Sequence, residues 1–195
     1  MKKCFPALLL LIVSILTLSV PKAEAATYPN SGLVVSPGDV IYSSKGWQTF
    51  FVGHVAIVGD DGKIYHSTPA VASGGVGESL TAYLSRFDSG TTLDVYVYKG
   101  SSVGPYLERG KAGKWARENV SKITEYSFTS NLKMSVISSN YCTKFIWQSF
   151  YYGADTNIDR PYLGNYKTGT STSIWTPLDF QASFVMNNVG SFKVS

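Results

Sequence analysis

The residues best suited to nucleophilic chemistry are two histidines and one cysteine. His54 and His66 are the only histidines, and both lie in the stretch GHVAIVGDDGKIYHS, Gly53 to Ser67. Of the two cysteines, Cys4 lies near the N-terminus and Cys142 lies far beyond the histidines. A thiol becomes an effective nucleophile when a histidine accepts its proton and a further polar group orients that histidine. The residue types therefore predict Cys142 as nucleophile, His54 as base and His66 as orienting partner.

The spacing of the histidines predicts that they lie on one face of a β-hairpin. The tetrapeptide GDDG suits a three-residue loop in which Gly62 is left-handed. In the resulting register His66 faces Ala56, and His54 shares that face because it lies two residues from Ala56. Diagonal neighbours have Cβ atoms roughly 7–8 Å apart, which two imidazoles can bridge. A two-residue loop would place the rings on opposite faces.

Cys142 lies at the start of a predicted helix over 141–153, YCTKFIWQSFYYG. Its apolar residues recur at helical spacing, and Ser139 or Asn140 is a candidate N-cap. The unpaired N–H groups and the dipole of a helix N-terminus favour an anion. The position therefore predicts a lowered pKa for the Cys142 thiol.

Other interpretations of the same residues are open at the level of sequence. The histidines could be polar residues of a half-exposed hairpin, and Cys142 could be an unreactive core residue, since free cysteines are often buried. Two imidazoles and a thiolate could also bind zinc. The sequence has no closely spaced Cys/His pair and no obvious fourth ligand, so we expect no metal and no cofactor.

The elements around these residues predict an α+β domain. Short β-prone runs separated by turn residues fill the first half, and helical patterns dominate the second. The predicted strands are 38–44, 54–58, 63–67 and 92–100, the predicted helices are 79–87, 105–123, 141–153 and one starting in 175–180, and 45–52 and 73–78 are predicted as an aromatic loop and a glycine-rich connector.

The first 25 residues predict a secretory signal peptide. Lys2 and Lys3 precede an apolar run, 7–20, that is too short for a comfortable membrane span, and small residues favour cleavage after Ala25. The mature domain is then 26–195, with no transmembrane anchor and a single cysteine. The formal net charge of +4 for the whole chain is too weak to predict nucleic-acid binding. We expect a secreted or cell-wall-associated protein.

Several motifs together resemble the permuted, YiiX-like members of the NlpC-type papain-like cysteine peptidase superfamily. The resemblance implies a circularly permuted papain-like fold, in which the histidine hairpin precedes the cysteine helix and an antiparallel sheet packs against that helix. It implies a Cys142–His54–His66 triad. Tyr126 resembles a tyrosine near the oxyanion in such enzymes, and Tyr141 is the second candidate for oxyanion or substrate contact. The motifs are GDVIY, GHVAIVGDDGKIYHS, NYCTKFIW and WTPLDF.

The same resemblance implies a secreted cysteine hydrolase of the peptidase or amidase type. Its expected substrate is a cell-wall peptide or a related amide or acyl compound. Lys144 stands where permuted members often have glutamate, so a charge near the predicted site is reversed. The alternatives are a lipid acyltransferase or lipase on the same scaffold, and a catalytically silent binding module. The lack of an apolar span in the mature chain counts against the former, and the intact cysteine and histidines count against the latter.

Overall fold

The computed structural model describes residues 26–44, 53–100, 105–159 and 167–195. Within them, a six-stranded antiparallel sheet in the order β4-β3-β2-β1-β5-β8 is combined with four α-helices, so the predicted α+β class is confirmed. The signal segment 1–25 and the aromatic loop 45–52 lie outside the described residues. The strands are β1 Val40–Ser43, β2 His54–Val58, β3 Ile64–Ser67, β4 Gly75–Glu78, β5 Thr92–Tyr98 and β8 Met186–Lys193, and β6 Glu125–Tyr126 and β7 Ser139–Asn140 form a separate parallel pair.

The helices follow the predicted order. Ser79 caps α1, Leu80–Leu84, and Thr176 caps α4, Pro177–Gln181, through a capping box. The long helix α2, Pro105–Asn119, ends earlier than predicted and continues as a 3₁₀ turn over Val120–Lys122. The cysteine helix α3 spans Cys142–Gly153, within one residue of its predicted start.

Two strands of the six-stranded sheet were not predicted, and neither was the short pair β6 and β7. The predicted connector 73–78 contains β4, which pairs with β3 at one edge of the sheet. Glycines weaken strands in general, but here Gly77 is needed, because a Cβ at that position would lie 2.2 Å from the Tyr65 ring of β3. The eight-residue β8 was not predicted; its side chains are mostly exposed, which leaves little apolar alternation in the sequence.

The sheet separates two apolar clusters, and this division decides which side chains meet. Val55 and Ile57 of β2 pack in the larger cluster with α3 and α2, whereas Ala56 and Val58 pack in the smaller cluster with Tyr83 of α1. Side chains of a strand alternate between faces, so His54 starts β2 on the face of Ala56. The cysteine helix and the helix that contributes Tyr83 therefore approach β2 from opposite faces.

Candidate active site

The hairpin register that was predicted from the GDDG loop is confirmed. Ile57 pairs with Tyr65 and Val58 with Ile64, and Gly62 adopts a left-handed φ of 76°. The N–H of Gly59 donates to the carbonyl of Lys63 at 2.7 Å, which closes the three-residue loop. This register brings the two histidines to one face.

The two imidazoles contact each other directly. His54 Nε2 lies 2.9 Å from His66 Nδ1, and the ring centroids are 5.0 Å apart in an edge-on arrangement. His66 is 1% exposed, while His54 is only partly buried at the start of β2. The pair is therefore a hydrogen-bonded unit with one buried and one more accessible ring.

The unit extends to two residues that the sequence reasoning missed. His66 Nε2 lies 2.8 Å from Glu78 Oε1, and Arg86 donates from Nε to Glu78 Oε1 at 2.7 Å and from an Nη to Oε2 at 3.0 Å. Glu78 ends β4, in which Val76 pairs with His66. Recognition of 73–78 as a strand would have placed Glu78 diagonally beside His66 on the same face.

The Glu78 carboxylate determines which ring nitrogens of His66 and His54 carry a proton. Burial opposes ionisation of Glu78, but hydrogen bonds from His66 and Arg86 outweigh it and lower the pKa of Glu78 to about 2. An ionised carboxylate only accepts, so His66 Nε2 carries the proton and His66 Nδ1 is an acceptor. His54 Nε2 must then donate to His66 Nδ1. The remaining ring nitrogen of His54, Nδ1, keeps its lone pair.

Both histidines are neutral at rest. Burial, followed by the charges of His66 and Arg86, lowers the pKa of His54 well below its usual value. Burial also lowers the pKa of His66, although the hydrogen bond and charge of Glu78 oppose that shift. The charge of Glu78 thus favours a cation on His66, whereas the neighbouring charges of His66 and Arg86 act against a cation on His54.

The cysteine lies at the N-terminus of α3, with its sulfur beside β2. Tyr141 is the N-cap residue and its side chain makes no capping hydrogen bond. The N–H groups of Val55 and Thr143 are placed to donate to a Cys142 thiolate. Val55 follows His54 in β2, so the sulfur lies at the His54 end of this strand.

The predicted lowering of the thiol pKa is wrong. Cys142 is fully buried, and burial raises its pKa to about 11 even though N–H groups of Val55, Thr143 and Cys142 itself favour the thiolate. The loss of hydration outweighs the helix N-terminus because a buried anion has little other solvation. At rest the group is therefore a neutral thiol, and the two histidines are neutral imidazoles.

The candidate N-caps, Ser139 and Asn140, have other roles. Ser139 and Asn140 form β7, and the Asn140 side chain donates to Gln148 Oε1 at 2.7 Å. Lys144 is buried and donates to the carbonyls of Asn131 and Ser139 at 2.9 and 2.8 Å, and burial lowers its pKa to about 8. Through these two hydrogen bonds, Lys144 fixes the segment that precedes α3.

Three tyrosines surround the sulfur. Tyr126 of β6 pairs with Asn140 of β7, and its hydroxyl lies within hydrogen-bonding reach of Cys142. Tyr141 instead accepts a hydrogen bond from the Trp175 N–H at 3.1 Å. The ring of Tyr83 packs edge-on against His66 with centroids 5.2 Å apart, and burial, followed by the charge of a Cys142 thiolate, raises the pKa of Tyr83. Tyr83 was not predicted; its ring contacts His66, and its hydroxyl is buried without a hydrogen-bond partner among the described residues.

The donor set does not fit a metal ion. In the described parts of the chain no group of three His, Cys, Asp or Glu side chains is placed to hold one. His54 and His66 direct one ring nitrogen each at the other, and the second nitrogen of His66 is directed at Glu78. These contacts use ring nitrogens that a shared metal ion would need. No helix in the described ranges is long and apolar enough to span a membrane.

Comparisons with known proteins agree with this architecture. The family model described as "Lipoprotein N-acylation protein LnsA-like" matches residues 2–168. No curated protein matches the chain. A crystal structure of metalloprotein YiiX from Escherichia coli O157:H7 is similar, with a TM-score of 0.53 and 13% identity, covering 80% of this chain and 96% of that chain. At that identity the likeness shows the fold alone, and together the two findings confirm the YiiX-like resemblance.

Proposed function

Because the chain belongs to the lipoprotein N-acylation protein LnsA-like family, we propose that it is an enzyme that transfers an acyl group through a thioester on Cys142. His54 acts as general base and His66 orients it. The acyl donor is an ester or amide, and the acceptor is the amino group of a lipoprotein. The family description supports the acceptor, and the arrangement of side chains supports the thioester.

The observation that carries the proposal is the directed line of hydrogen bonds from Glu78 through His66 to His54. In the resting state this line leaves Nδ1 of His54 unprotonated, so that this nitrogen can accept a proton. A nucleophilic thiol requires an oriented base of this kind. The Val55 N–H, one residue after His54, is placed to donate to the Cys142 sulfur, so the nucleophile lies near the end of β2 at which His54 stands. Direct proton transfer between the sulfur and His54 is part of the proposal.

The mechanism starts from a neutral thiol. Since the pKa of Cys142 is raised and that of His54 is lowered, proton transfer to His54 Nδ1 accompanies attack of the sulfur on the acyl carbonyl. The Cys142 N–H and the Tyr126 hydroxyl are the proposed donors to the oxyanion, with Tyr141 as the weaker candidate. His54 then protonates the leaving group, and a thioester remains on Cys142.

The second half returns the acyl group to an acceptor. His54 removes a proton from an incoming amine, the amine nitrogen forms an amide bond with the acyl carbon, and the Cys142 sulfur leaves as a thiol after it regains a proton. Cys142 and His66 are almost completely buried, which limits access of water. A site with little water favours aminolysis of the thioester over its hydrolysis.

The proposal includes chain order and location. The hairpin β2–β3 precedes the nucleophile helix α3, which supports a circular permutation of the NlpC-type papain-like fold. Lipoprotein acceptors belong to the cell envelope, so the family description supports envelope association and an export signal in 1–25, with the domain in 26–195.

Hydrolysis is the second candidate function. His54 is partly exposed, so water can reach the base and replace the amine as the acceptor. A secreted cysteine peptidase or amidase that acts on cell-wall peptides would use the same Cys142, His54 and His66. The two functions differ in the acceptor and not in the thioester.

The test is to trap the thioester and then offer two acceptors. We expect a variant with Cys4→Ser to gain one acyl mass at Cys142 from a long-chain acyl ester, and hydroxylamine to remove it. Cys4→Ser with Cys142→Ser should gain no hydroxylamine-labile mass. An amine-terminated lipopeptide should then be acylated faster than the free acid forms. Release as free acid alone would favour the hydrolase, and absence of any acyl-Cys142 with ester, amide or peptide donors would favour a binding module.

A further inference from the structure

The line of hydrogen bonds is longer than a catalytic triad needs. A triad ends at the group that orients the base, here His66. In this chain His66 is itself held by Glu78, and both carboxylate oxygens of Glu78 accept from Arg86. The side chain of Glu78 is 12% exposed and that of Arg86 is 29% exposed, so this ion pair is partly withdrawn from solvent.

The arrangement determines where a positive charge is most stable. When His54 Nδ1 takes the thiol proton, both ring nitrogens of His54 are protonated. Its Nε2–H lies 2.9 Å from the unprotonated Nδ1 of His66. Movement of that proton leaves His54 neutral and makes His66 an imidazolium whose Nε2–H lies 2.8 Å from the Glu78 carboxylate. A charge-assisted hydrogen bond in a partly buried site stabilises that second arrangement more than an isolated His54 cation.

We propose that Glu78 and Arg86 are positioning residues that make the two histidines a proton relay, so that the charge formed when Cys142 attacks resides on His66. This rests on the proposed function. The Cys142 S–H bond breaks as an N–H bond forms at His54 Nδ1. The His54 Nε2–H bond breaks as an N–H bond forms at His66 Nδ1. Both transfers reverse when His54 protonates the leaving group, so no proton is gained or lost.

Arg86 keeps Glu78 from ending the relay. If Glu78 could take the Nε2 proton of His66, the charge would be lost and the carboxyl would be neutral. Two hydrogen bonds from Arg86 hold the carboxylate ionised and fix its plane towards His66. The lowered pKa of Glu78 agrees with a carboxylate that stays ionised, and the charge of Glu78 favours the cation on His66.

The relay can be observed without a substrate because the chain has only two histidines. With ¹⁵N-labelled histidine, spectra near pH 8 should show both rings as Nε2–H tautomers. On acidification the first imidazolium should form at His66, assigned with His66→Gln. In Glu78→Gln the Nε2–H preference should be lost and the first imidazolium should move to His54. Acyl-thioester formation should slow about 10–100-fold, the usual effect of removing a group that orients another.

Two further variants keep the test decisive. Glu78→Gln leaves the positive charge of Arg86 without its negative partner. A Glu78→Gln/Arg86→Met variant removes both charges, and it should show the same change of tautomer with a retained fold. Glu118→Gln is the matched control, since Glu118 is an exposed carboxylate near Arg117, 3.5 Å from one of its nitrogens. It should change neither the spectra nor the rate.

The relay is overturned if His66 is an Nδ1–H tautomer at rest, if the first imidazolium forms at His54, or if no imidazolium forms before unfolding. Identical spectra for wild type and both Glu78 variants would also overturn it. These outcomes are independent of the proposed function, because the spectra need no substrate. A correct relay without acyl-Cys142 would reject the function, and acyl-Cys142 without the relay would reject only the inference.

Discussion

The thiol of Cys142 should titrate as a buried group and not as an activated one. Burial raises its pKa from an ordinary 9.0 to about 11. At pH 7 the thiolate fraction is then about 10⁻⁴, compared with about 10⁻² for an unperturbed thiol of the same ordinary value, a deficit of roughly 100-fold. The two-unit difference corresponds to about 3 kcal/mol.

The assay is alkylation by iodoacetamide as a function of pH in a Cys4→Ser variant. The rate should rise about tenfold per pH unit from pH 7 to beyond pH 9, with no plateau below about pH 10. The slope separates ionisation from access, since slow entry into the site lowers all rates equally. The same protein in denaturant is the reference and should reach half of its maximal rate near pH 9. His54→Ala should leave the alkylation slope unchanged but abolish thioester formation, because the proposed role of His54 is that of a general base.

Stability supplies an independent measurement of the same shift. Between about pH 9 and 11 the folded protein keeps the thiol proton that the unfolded chain loses, so the unfolded state binds fewer protons and stability falls as pH rises. The part of this loss that comes from Cys142, up to about 3 kcal/mol, should be absent from Cys142→Ser. A thiol that is alkylated at a constant, maximal rate down to pH 6 would refute the reasoning, since it would demonstrate a resting thiolate–imidazolium pair.

Two further predictions concern the placement of Tyr126. Tyr126→Phe should slow acyl-thioester formation about 100-fold, the typical effect of losing one oxyanion donor, whereas Tyr152→Phe, which removes a phenol from a half-exposed ring, should not; equal rates would exclude Tyr126 as a donor. Gly74→Ala should destabilise the protein by more than Gly90→Ala, measured by urea unfolding, and should also slow thioester formation. Both glycines have positive φ, which costs alanine about 1 kcal/mol, but only at Gly74 would a Cβ meet the backbone N of Tyr126, at 2.4 Å. Equal losses at the two glycines would show that β6 yields to the added methyl group.

Much of the fold near the site was predictable because local rules determine it. The GDDG loop sets the register of β2 and β3, and alternation then puts His54 and His66 on one face. Helical spacing identified α3 and put Cys142 in its first turn. Each inference needed only residues close together in the chain.

The elements that escaped prediction depend on distant partners. The glycines of β4 give no strand pattern, and their fit is visible only once the Tyr65 ring of β3 lies across Gly77. The exposed edge strand β8 is set by pairing with β5 through a bulge between Val95 and Tyr96. Without β4 there was no reason to place Glu78 beside His66.

By itself, the sequence determined the candidate reactive residues and their local placement: one hairpin with two histidines and one cysteine at a helix start. Turn chemistry and side-chain periodicity act over a few residues, so they can be read from the sequence. The tertiary structure decided their protonation. Pairing of β4 with β3 supplied the Glu78 carboxylate, packing of α1 supplied Tyr83, and the chain that follows α1 supplied Arg86. Enclosure of Cys142 between elements far apart in the chain raised its pKa against the pull of the helix N-terminus. Desolvation and charge pairing depend on everything that surrounds a group, so only the assembled fold sets them.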